Sequence, residues 1–81
     1  MSPLLHRSRG FRFFFWSSEP REPPHVHVVK AESQGKWWLQ PVRRAYSSGF
    51  SPGQVRYIED ILEQHQEQFL EEWYEYHGKE E

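Results

Sequence analysis

The 81-residue chain has no cysteine. That excludes a disulfide frame, a thiolate nucleophile and any cysteine-ligated zinc or iron–sulfur centre. Long apolar runs are missing too; none approaches the roughly 20 residues that span a bilayer. The opening Met1-Ser-Pro-Leu-Leu-His-Arg has no signal-peptide core, so a soluble, cytoplasmic protein without membrane contact is the expectation. There is no phosphate-binding glycine loop, no Gly-x-Ser-x-Gly elbow and no His-Glu-x-x-His zinc helix, and no cofactor is expected. The chain is too short for a doubly wound dinucleotide fold or an α/β barrel. It reads as a single domain over residues 1–81.

What is present is aromatic. Apolar residues make up only 36% of the chain, but aromatics reach 17%, with four Trp, six Phe and four Tyr. A small core built from few bulky side chains follows. Charge is divided along the chain. Residues 1–56 carry nine Lys/Arg against three acidic residues, and residues 57–81 carry nine acidic residues against Lys79 alone. A basic surface for a polyanion and an acidic helix facing water or a basic partner fit that division, as do two plainly solvated faces.

Gly10–Ser17 is aromatic, short and alternating, and predicts a strand with Phe11, Phe13 and Phe15 on one side and Arg12, Phe14 and Trp16 on the other. A proline-rich connection, Ser17–Pro24, leads to a second strand, His25–Lys30, and a turn over Ala31–Gly35 to a third, Lys36–Gln40, closed by Pro41. Val42–Tyr46 fits either a short strand or a turn of helix. Ser51, Pro52 and Gln54 form a Ser-x-x-Gln capping box with proline at the first helical position, and Phe50 and Val55 stand at staple positions. Val55, Ile58, Leu62, His65, Phe69, Trp73 and Tyr76 then recur at helical spacing, with Glu59, Glu63, Gln66, Glu67 and Glu71 outward and Gly78 as the stop. The expected fold is α+β: a three-stranded antiparallel meander (about 10–17, 25–30 and 36–40) with one long amphipathic helix (about 52–77) on one face.

That fold leaves the second sheet face open, carrying Arg12, Phe14, Trp16, His25, His27 and one side of the third strand. Flat aromatics among cations suit single-stranded RNA, whereas the same patch could seat a protein partner or a second copy in a homodimer. His25 and His27, two apart on a strand, stand side by side. They serve as acid and base for phosphodiester cleavage in one reading, with Arg12 offsetting developing charge. Lys30 is a further charge candidate, although strict alternation puts it on the Val26/Val28 side. In a second reading the pair ligates a metal, needing Glu22 or His65 as a third ligand. In a third, both rings are half-buried and bond locally. Lys30, Glu22, Trp16, Trp38 and Arg43 are the substrate-binding candidates, and Arg43 and Arg44 are either solvated or together hold a phosphate.

Gly10-Phe11-Arg12, Glu22-Pro23-Pro24-His25-Val26-His27-Val28, Lys36-Trp37-Trp38-Leu39-x-Pro41-Val42, Gly49-Phe50-Ser51 and Ile58-x-x-Ile61 closely resemble a family of small bacterial proteins, the domain of unknown function DUF4160. The resemblance runs over roughly residues 8–78. Its signature positions fall on Arg12, Glu22, His25, His27 and Lys30. Members are often encoded beside a second short protein, which implies a toxin-like role, an antitoxin-like protein partner and an RNA-cleaving activity as the candidate reaction. Where the family tends to carry tyrosines this chain has Phe14 and Trp16, so a phenolic proton donor is excluded there.

Overall fold

The computed structural model describes residues 4–16 and 21–78. Ser17, expected to end the first strand, and residues 17–20 of the proline-rich connection lie outside the described residues. Among those described, the chain forms β1 (Leu4–Ser8), β2 (Phe11–Phe14), β3 (His25–Lys30), β4 (Ser33–Leu39), β5 (Val42–Ser48), α1 (Pro52–Gln64) and α2 (Gln66–His77). The strands pair antiparallel in chain order as one five-stranded sheet. The expected three-stranded meander with one long helix is therefore corrected to five strands and two helices.

The two added strands are the sheet's edges. Their side chains are mostly exposed or half-buried, so neither carries the apolar alternation that marks a half-buried strand. Tight turns recruit them instead. Arg9 and Gly10 take φ of 52° and 84° between the paired residues Ser8 and Phe11. Positive φ at both loop positions is the geometry whose twist matches a two-residue hairpin. The Lys30 ammonium braces that turn from β3, donating to the Arg9 carbonyl at 2.8 Å. Gln40 and Pro41, joined by a cis peptide bond, connect Leu39 to its partner Val42. The turn expected over Ala31–Gly35 is shorter than the glycine suggests: Lys30 pairs with Ser33, so Gly35 belongs to the interior of β4.

The capping box forms as its spacing requires. Ser51 Oγ accepts from the Gln54 N–H at 3.1 Å, and Gln54 Oε1 accepts from the Ser51 N–H at 2.9 Å. From this start α1 buries Ile58, Ile61 and Leu62 and α2 buries Phe69 and Trp73. They close over the inward sheet side chains Phe11, Phe13, Phe15, Val26, Val28, Trp37 and Leu39. The single helix is interrupted at His65, where φ −111° and ψ 16° leave the helical region. No glycine or proline causes this. Tertiary contacts do: the Gln66 side chain donates to the Leu39 carbonyl at the end of β4 at 2.6 Å, and the His65 ring packs 4.8 Å from His6 of β1 and 5.4 Å from Phe69. Two positions expected to face outward thus turn inward, Gln66 and also Glu59, whose carboxylate accepts from the Trp37 indole N–H at 3.0 Å. Among the described residues no helix is long and apolar enough to cross a membrane.

Candidate functional site

β-Strand alternation sets which residues share the uncovered side of the sheet. Residues directly opposite in register share a face, and three such rows run across the strands. Phe14, His27, Lys36 and Tyr46 make one; Arg12, Val29, Gln34 and Ser48 make the next; His25, Trp38 and Arg43 make the third. From β1, Leu4 stands opposite Phe14 and Arg7 opposite Arg12. Arg7, Arg12 and Arg43 are exposed, and Leu4, Trp16 and Tyr46 expose about half of their surface.

The histidine pair sits within this face but beneath its surface. The rings of His25 and His27 are 5.3 Å apart, edge to face, and both residues are buried. His25 is walled by Trp38 at 5.6 Å and by Trp73 of α2 at 4.9 Å. His27 lies against Phe14 at 5.9 Å and Trp16 at 5.4 Å. His25 Nδ1 is 2.9 Å from the Pro23 carbonyl. A carbonyl only accepts, so Nδ1 is the donor in this contact. The Pro-Pro step preceding the strand thereby holds the ring from behind.

Glu22 and Lys36 complete the cluster. Glu22 Oε1 lies 2.6 Å from Lys36 Nζ and 3.7 Å from His25 Nδ1, and the ammonium stands 4.7 Å over the Trp38 ring. The fold thus gathers Glu22, His25, His27, Trp16 and Trp38, with Arg43 opposite Trp38 and Arg12 one row from His27. Lys30 stays apart: its ammonium serves the β1–β2 turn and lies over Phe11 on the helix-covered side. Arg43 and Arg44 do not work together, since Arg44 pairs with Trp37 on the opposite face and donates to Ser47 Oγ at 3.3 Å.

His65, the other candidate third ligand, packs against His6 rather than His25. Burial and the neighbouring His65 charge push the His6 pKa below its usual value. Among the described residues no three His, Cys, Asp or Glu side chains are grouped to hold a metal ion. Sequence reasoning passed over three site residues: Arg7, on the unexpected strand β1, Tyr46, on a segment that read equally as strand or helical turn, and Lys36. Lys36 could have been found from the alternation of its own strand, which puts it beside Trp38 on the face of the histidines.

A family model, domain of unknown function DUF4160, matches residues 10–74. No curated protein and no solved structure matches the chain.

Proposed function

The chain belongs to the DUF4160 family, whose description assigns no reaction, and we propose that it binds single-stranded RNA on the open face of its sheet. One observation carries this reading: Arg7, Arg12 and Arg43 stand by register on the same uncovered face as the exposed Tyr46 ring, with the exposed Trp16 ring against His27 of that face. Cations there neutralise phosphates, and flat rings offer stacking surfaces that accept any unpaired base. A duplex hides its base faces, so the face favours single strands.

In this reading the buried histidines shape the platform, and RNA is gripped rather than cut. The toxin-like role implied by the resemblance then becomes sequestration of RNA, held in check by a protein that covers the same face. Polarisation of a short labelled RNA tests the proposal. Single-stranded RNA is expected to bind more tightly than its duplex, and Arg12→Gln with Arg43→Gln should weaken binding about tenfold and flatten its salt dependence. Intact RNA after prolonged incubation fits gripping, whereas cleavage lost in His25→Ala/His27→Ala would restore acid–base chemistry to the pair. Absence of RNA binding, together with a dimer that buries Trp16 and Tyr46, would make the face a protein contact instead.

A further inference from the structure

Lys36 is held differently from the arginines around it. They are exposed, whereas its side chain is only 11% exposed. Its ammonium rests over the Trp38 ring, and its close anionic partner is the Glu22 carboxylate at 2.6 Å. The two ends of this ion pair are unequal in origin. Lys36 is built into the middle of β4, paired with His27 on one side and Tyr46 on the other. Glu22 precedes β3, outside any strand, and its side chain remains 43% exposed.

Enclosing a cation costs solvation that only a close anion restores. The fold has met that cost for Lys36 whichever anion sits there, and Glu22, whose side chain is already 43% exposed, gives up its charge-assisted contact when it returns to water. A second anion can therefore exchange with Glu22. The geometry also selects the anion. Side chains directly opposite on antiparallel strands have Cβ atoms about 5 Å apart, so a base stacked on Tyr46 leaves its own phosphate beside Lys36.

We propose that Glu22 is an internal stand-in ligand, its carboxylate occupying the place on Lys36 that a phosphodiester of bound single-stranded RNA takes. The inference rests on the open-face reading above and adds to it a specific phosphate site and an intramolecular competitor. Binding then requires displacement of Glu22, and the wild-type affinity is reduced by that competition.

The test compares the full chain with Glu22→Gln, Lys36→Met and the two combined, in binding to the same short single-stranded RNA over a range of salt. Glu22→Gln should tighten binding about tenfold, the weight of one charge-assisted contact. The salt dependence should stay close to that of the wild type, because the same phosphate meets Lys36 in both bound states. Tightening by Glu22→Gln that persists in the Lys36→Met background would be general charge repulsion and would overturn the stand-in role. Lys36→Met should weaken binding, and the combined variant should match it; if Lys36→Met does not fold, Lys36→Gln takes its place alone and in the combination. Unchanged or weaker binding by Glu22→Gln, with Arg12→Gln/Arg43→Gln still weakening it, would overturn the stand-in role and leave the open-face reading intact. No binding by wild type or Glu22→Gln would overturn both, whereas binding by Glu22→Gln alone would support the competitor strongly.

Discussion

Gly35 shows how one missing side chain fixes the packing of its neighbours. A Cβ at this buried position would fall 2.5 Å from Trp37 Cζ3 and 2.9 Å from the Tyr46 carbonyl oxygen. The indole cannot swing aside without cost, because its N–H is held by Glu59 and the residue is fully buried. Gly35→Ala is expected to destabilise the protein by about 1–3 kcal/mol, the usual cost of overpacking. Urea unfolding should show this as a lower midpoint with an unchanged slope. In the sequence this glycine looks like the end of a turn, because a backbone position that needs closeness is spelled the same way as one that needs freedom. The histidine pair was more legible. Period-two alternation alone puts His25 and His27 on one face, but the wall that Trp73 makes against His25 comes from some fifty residues away, and no local pattern encodes it.

Among the elements, the start of α1 shows where local chemistry decides. Ser51 meets a backbone donor that the helix itself cannot pair. Ser51→Ala should therefore cost about 1 kcal/mol, seen as a fall of about 4–8 °C in thermal midpoint for a domain of this size. Caps are written in a few adjacent residues, and this one was readable for that reason. The break at His65 is not written locally: Glu63-Gln-His-Gln-Glu67 is ordinary helix sequence, and the bend is enforced from β4 and β1. Strand β1 was hidden, and β5 legible only as a choice between strand and helical turn, by a related cause. An edge strand has one paired side and little burial, so arginine and serine serve it without leaving an apolar trace. Three central strands could be read from their aromatic and branched residues, while the borders of the sheet were absent or ambiguous.

For the molecule as a whole, the contact between β1 and the helix junction links stability to pH. The lowered pKa of His6 means that the unfolded chain takes up this proton more readily than the folded one. Above the unfolded value, near pH 6.5, both states are neutral and the contribution is fully present. As pH falls through that value toward the lower folded pKa, stability is lost, since it rises with pH wherever the unfolded state binds more protons. Urea midpoints measured between about pH 7.5 and about pH 5.5 should decline on the acidic side, and His6→Gln should flatten that decline. The strand that carries His6 lies wholly before the stretch matched by the family model, yet Ser8 hydrogen-bonds Tyr57 of α1 and every ladder position of β2 from Phe11 to Phe14 is paired to it. Take β1 away and a four-residue ribbon, three of its residues phenylalanine, becomes the border of the sheet, with bare amides able to recruit a neighbouring molecule. The outer strand thus guards the protein against aggregation, a duty separate from the part its Arg7 takes in the open face.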